Sequence, residues 1–141
     1  MRGKVILDTN VFIDYLRAGL HADWVSGQVD GMVRYLSCVV ILELRLGADT
    51  PGRRRAIDRL KAAFPPERLV APEPALYDRA GVLFRRIHND GSGMRDRLGA
   101  LNDILIALTA WRIGARVVTS NAIDFRRIAR HLPGFIWTLP V

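Results

Sequence analysis

The chain has 141 residues, half of them hydrophobic and a quarter charged, with a formal net charge of +7 and one cysteine. That length suits a single domain, residues 1–141, with a sizeable core. One cysteine excludes an internal disulfide and a zinc spacing, and no apolar stretch approaches a membrane span or a signal-peptide core, so a cytoplasmic protein with no membrane partner is expected. The positive charge is carried almost wholly by Arg, whose fork suits phosphate, so nucleic acid is a reasonable partner; net charge alone says little about function.

In chain order, residues 4–8 read as a buried strand, and Thr9 or Asn10 as the cap of a helix that Gly19 stops. A second helical pattern covers about residues 21–29, closed by Gly31. Residues 33–37 form the next strand, and Ser37 caps a helix that carries Glu43 and ends at Gly47. Cys38 lies in the apolar run 38–42 and reads as a small core residue. Pro51-Gly52 reads as a break, followed by a helix over about 53–64. After Pro65-Pro66 come a short strand at 68–71 and a long helix from Pro74 to about His88. Residues 89–93 form a loop, and a helix over about 100–113 ends at Gly114. A strand at 116–119, a helix at 123–131 and a last strand near 135–139 complete the chain. Strands alternate with helices throughout, so the expected fold is α/β: a central, mostly parallel five-stranded sheet with helices on both faces. Sites in such sheets form beyond the carboxyl ends of the strands.

Four acids sit in or beside apolar stretches: Asp8, Glu43, Asp103 and Asp124. A buried unpaired carboxylate is costly and is relieved by protonation, a basic partner or a metal ion. Each has an ordinary alternative. Asp8 could be a plain helix cap. Glu43 could face solvent and pair with Arg45 or Arg53. Asp103 could be a first-turn acid favoured by the helix dipole. Asp124 could belong to a capped turn. Asn10, Thr119 and Asn121 are supporting polar groups beside Asp8 and Asp124, able to position a water or fix the backbone. Arg126 and Arg127 are the arginines closest in sequence to Asp124 and are the best candidates for phosphate contact. Trp24, Trp111 and Trp137 are scattered and read as core or dimer packing, and His21, His88 and His131 as solvent-facing.

Taken together, the motifs resemble the PIN-domain ribonucleases, in particular VapC-type toxins of toxin–antitoxin pairs. Leu7-Asp8-Thr9-Asn10 resembles the family's opening motif, and Ser37…Glu43-Leu44…Gly47 its second. Asp103-Ile104-Leu105-Ile106-Ala107 is similar to the third, although Leu108 stands where a small residue is frequent. The segment from Thr119 to Phe125 resembles the fourth.

The resemblance implies hydrolysis of RNA phosphodiesters with Mg²⁺ or Mn²⁺. It assigns Asp8 and Asp103 as main metal ligands, Glu43 as completing the cluster directly or through water, and Asp124 as a further ligand or water-orienting group. The products would carry a 5′ phosphate and a 3′ hydroxyl. It further implies a small cognate antitoxin and a homodimer. Two alternatives stay open: a PIN-fold RNA-processing nuclease without an antitoxin, and a non-catalytic module that binds RNA or protein. An antitoxin reading frame beside the gene would separate the first alternative, and retained RNA binding without cleavage in any metal would identify the second.

Overall fold

A computed structural model describes residues 3–27, 29, 31–88 and 96–141. The chain begins with β1 (Gly3–Leu7), α1 (Thr9–Ala18) and the short α2 (Ala22–Val25), then β2 (Met32–Ser37), α3 (Cys38–Leu46) and α4 (Pro51–Ala62). A 3₁₀ turn (Pro66–Arg68) leads into β3 (Leu69–Val70), α5 (Pro74–His88) and α6 (Arg97–Ile113). The chain closes with β4 (Ala115–Val118), α7 (Ala122–His131) and β5 (Ile136–Thr138).

The five strands lie in the order β3-β2-β1-β4-β5, every pair parallel. The expected α/β class is therefore correct, and the sheet is fully rather than mostly parallel. A parallel sheet covered on both faces needs apolar residues pointing both ways. In β1, Val5, Ile6 and Leu7 are consecutive and all buried. With that strand order, the right-handed rule for parallel crossovers assigns α1–α4 to one face and α5–α7 to the other. Accordingly α1 packs on α3 and α3 on α4, whereas α5, α6 and α7 pack on one another. The winding direction reverses between β1 and β4, which opens a crevice at their carboxyl ends.

Several boundaries differ from the sequence reading. Asp8, not Thr9 or Asn10, caps α1, which places those two residues in its first turn. Only Ala22–Val25 of the second helical stretch is α-helical, with His21 entering it at positive φ. Pro51-Gly52 does not break the chain; Pro51 opens α4 behind a Thr50 cap, where its missing N–H costs nothing. α6 begins at Arg97, three residues earlier than expected, because Asp96 caps it through the Gly99 N–H at 2.7 Å. Asp103 thereby moves from the first helical turn to the second. Cys38 is exposed rather than part of the core. α3 is not buried all round, since Leu42 and Leu46 are exposed. Trp24, Trp111 and Trp137 are partly buried against the core. Gly19 and Gly114 end α1 and α6 as expected, both in the left-handed conformation that disfavours a side chain. The expected loop at 89–93, with Met94 and Arg95, lies outside the described residues. Among the described residues no helix is long and apolar enough to cross a membrane.

Candidate active site

Asp8 stands where β1 meets β4. Its backbone N–H continues the ladder to the Val118 carbonyl at 2.8 Å, and the residue is 3% exposed. Three donors hold the carboxylate. The Thr9 N–H reaches Oδ1 at 2.8 Å, the Thr119 hydroxyl donates to Oδ2 at 2.8 Å, and the Asn10 amide donates to Oδ2 at 3.1 Å. Asn10 also ties the β4 turn to α1 by accepting the Ser120 N–H at 3.1 Å. Asp8 thus caps a helix and also lies at the floor of a cleft. Burial lifts its pKa to about 6, against the pull of the Thr119, Thr9 and Asn10 hydrogen bonds; the Glu43 charge adds to the lift.

Glu43 arrives from α3, whose start is set by the Ser37 hydroxyl accepting the Val39 N–H at 3.1 Å. Neither Arg45 nor Arg53 pairs with it. Arg45 bonds Asp58 and Arg53 bonds Asp49. Glu43 instead accepts the Thr9 hydroxyl at 2.6 Å on Oε1 and the Asn102 amide at 3.4 Å on Oε2. Asp124, in the first turn of α7, is exposed and held by Asn121 twice over: the Asn121 amide donates to its Oδ2 at 2.8 Å, and its own N–H donates to Asn121 Oδ1 at 3.3 Å. Thr119 fixes that turn in addition, accepting the Asn121 N–H at 2.9 Å.

Asp103 projects from α6 into the same cleft, and its carboxylate accepts no hydrogen bond from any described residue. Its pKa rises to about 8, chiefly through burial and then through the charges of Asp8, Glu43, Asp124 and Asp96. The cleft that all four predicted acids line has a volume of about 450 Å³. Asn10 and Asn121 lie in its wall, and Thr119 supports it from behind without lining it. Arg127 lines it, whereas Arg126 does not. None of the four acids takes part in an ion pair among the described residues.

The structure adds residues that the sequence reading did not single out. Asp96 lines the cleft from the start of α6, and its carboxylate lies so close over Gly99 that a Cβ there would stand 2.1 Å from Oδ2. An Asp three residues before a Gly at a helix start is a readable cap signal, obscured by placing that start at residue 100. Asn102 is buried beside Asp103 and serves Glu43. His88 was expected to face solvent but lines the cleft, its ring tilted against Phe84 at 4.8 Å between centroids. Burial and the neighbouring Arg127 charge lower its pKa, against the pull of Asp124.

Among the described residues no three His, Cys, Asp or Glu side chains stand close enough to form a ready cage for a metal ion. The donor set still matches a hard divalent cation. It consists of carboxylate oxygens, and Mg²⁺ takes only one or two carboxylates directly and keeps several waters.

Among solved structures, the fold is similar to a chain of VapBC-1 from nontypeable Haemophilus influenzae, with 24% identity, a TM-score of 0.67, and coverage of 97% of this chain and 98% of that one. It is also similar to a chain of VapBC2 from Rickettsia felis bound to a promoter DNA fragment, with 19% identity, a TM-score of 0.68 and coverage of 96% and 98%. A chain of DNA-bound VapBC from Salmonella typhimurium matches at 22% identity and a TM-score of 0.68, covering 99% of each. At these identities the likeness is one of fold. No curated protein matches the chain by sequence. The PIN domain family model matches residues 5–131, nearly the whole length, with the acid cleft inside the matched span; this chain belongs to the PIN domain family.

Proposed function

We propose that this chain is a metal-dependent endoribonuclease acting in the cytoplasm as the toxin of a toxin–antitoxin pair of VapC type, with a small antitoxin protein as partner and a homodimer as its working form. The observation that carries the reading is the meeting of Asp8, Glu43, Asp103 and Asp124 in one cleft, brought there by β1, α3, α6 and α7, with no cation paired to any of them among the described residues. Such a cluster repels itself and RNA alike unless positive charge enters it. The fold neighbours, which come from VapBC assemblies, support the toxin reading.

Asp8 and Asp103 would hold Mg²⁺ or Mn²⁺, with Glu43 completing the set directly or through water. When bound, such an ion supplies an acidified water and offsets phosphate charge. The chain's own groups do the rest. Thr119, Asn10 and the Thr9 N–H keep Asp8 in one orientation. Thr9 and Asn102 do the same for Glu43. Asn121 holds Asp124, which serves as a further ligand or orients the attacking water. Arg127 presents its charge to a phosphate, and Arg126 lies beyond the cleft wall. A bond forms between water oxygen and phosphorus as the bond from phosphorus to the 3′ oxygen breaks, leaving a 5′ phosphate and a 3′ hydroxyl.

The test is RNA cleavage by the purified chain with Mg²⁺ or Mn²⁺, with EDTA, and by Asp8→Asn. Activity should require metal and fall by about a hundredfold to a thousandfold in the variant. RNA ends sequenced after brief induced expression should carry 5′ phosphate. Ends bearing 2′,3′-cyclic phosphate would exclude this route, because the substrate's own 2′-hydroxyl would then have attacked.

A further inference from the structure

A second hollow lies on the α5–α7 side of the molecule. It runs along α5 from Glu73 to Arg86 and is closed by Trp111 and Arg112 of α6 and His131 of α7. It adjoins the acid cleft through two helices. α5 contributes Ile87 and His88 to the cleft and Arg86 to the hollow. α7 contributes Arg127 and Ile128 to the cleft and, one turn on, His131 to the hollow.

The hollow's lining suits a polyanion that carries flat rings. The Arg79 guanidinium lies over the Trp111 indole, 4.6 Å from its centroid. The indole is held in turn by its N–H donating to the Pro133 carbonyl at 3.1 Å. An ordered guanidinium plane backed by an aromatic ring is a surface on which a base stacks while phosphate meets the cation. Glu73 is engaged by Arg112 at 3.5 Å. Arg79 and Arg86 have no ion-pair partner among the described residues, and Asp78 is the carboxylate left to oppose them. From Arg79 to His88 the helix rises about 13 Å, the span of a few nucleotides of extended single strand.

We infer that this hollow is a subsite for the single-stranded RNA that extends out of the acid cleft, with Arg86 and Arg79, about 10 Å apart along α5, meeting two separate phosphates and the Arg79–Trp111 stack receiving a base. The inference rests on the nuclease reading and extends it to substrate length.

The experiment is equilibrium binding in EDTA, so that nothing is cut, of labelled single-stranded RNA in two lengths. One fills the cleft alone; the other is longer by a few nucleotides. The unmodified chain, an Arg79→Ala/Arg86→Ala double variant and Trp111→Phe are compared. The chain should bind the longer oligomer more tightly, and the double variant should erase that gain, by about tenfold, with a salt slope smaller by about 1.4. The short oligomer should bind all three proteins alike. Both arginines are exposed, so thermal unfolding should match that of the parent. Trp111→Phe should keep the salt slope and weaken the longer oligomer modestly. No advantage of length in the parent, or equal affinity of parent and double variant for the longer oligomer, overturns the subsite. So does a double variant that changes only sedimentation, which would make the hollow a contact between copies. Unchanged affinity with metal-dependent cleavage intact sinks this inference alone. A length-dependent loss of binding in a chain that cleaves no RNA with either metal keeps the subsite and sinks the nuclease.

Discussion

The floor and the wall of the acid cleft hold their carboxylates in opposite ways. On the floor, Asp8 is almost fully buried yet accepts hydrogen bonds from Thr9, Thr119 and Asn10. On the wall, Asp103 accepts none from a described residue and faces Asp8, Glu43, Asp124 and Asp96. Burial is the largest influence on both. Donors then pull the floor carboxylate back to about 6, whereas like charges push the wall carboxylate on to about 8. Desolvation therefore accompanies a preorganised group in one place and, in a less buried one, an electrostatically unsatisfied group. A divalent cation entering the cleft would change the wall most.

The sharpest way to break this contrast is Asp103→Asn. It should lower cleavage by about a hundredfold or more, and yet stabilise the metal-free protein. The sign follows from linkage. The folded-state pKa of about 8 lies above the ordinary 3.8, so the folded protein holds a proton that the unfolded chain has released. Stability falls as pH rises between those two values, and the loss is complete above the higher one. The variant cannot ionise there, so in EDTA at high pH it should be more stable than the parent, by on the order of 2 kcal/mol, and unfold at a higher temperature. The advantage should shrink as pH drops below about 8 and vanish near the ordinary 3.8. Parallel unfolding curves for parent and variant across that range would mean that the wall carries no such strain.

Thr119→Val addresses the floor. The side chain keeps its volume but no longer donates to Asp8 or accepts from Asn121. The Mg²⁺ concentration for half-maximal cleavage should rise about tenfold, with activity recovered at high metal. Stability should drop by about 1 kcal/mol. A metal requirement left unchanged would show that Asp8 needs no hydroxyl behind it.

The smallest effect belongs to Asp96, where cap and charge separate. Asp96→Ala should destabilise by about 1 kcal/mol, and Asp96→Asn should keep the α6 cap. Asn also removes one of the charges raising Asp103, so the fall in metal-free stability with pH should move to lower pH. Equal unfolding temperatures for the two variants would remove the capping role.

Much of the fold could be read along the chain because its signals are local. The run Val5-Ile6-Leu7 ending at Asp8, the Ser37 cap, and Gly19 and Gly114 at helix ends each state their structure within a few residues. The start of α6 could not be read so easily. Its cap, Asp96, lies on the cleft side of a helix whose apolar pattern begins later. His88 reads as one more polar residue at a helix end until α7 is laid against α5.

The sequence by itself determined which carboxylates stand in apolar surroundings, since hydropathy around Asp8, Glu43 and Asp103 is a property of neighbours in the chain. It also determined the alternation that makes the sheet parallel. Only the tertiary structure decided that Asp8 would be cradled and Asp103 left unsatisfied. Hydrogen-bond donors, burial and like charges act over a few ångströms of space, and the groups that supply them here are up to 111 residues apart along the chain.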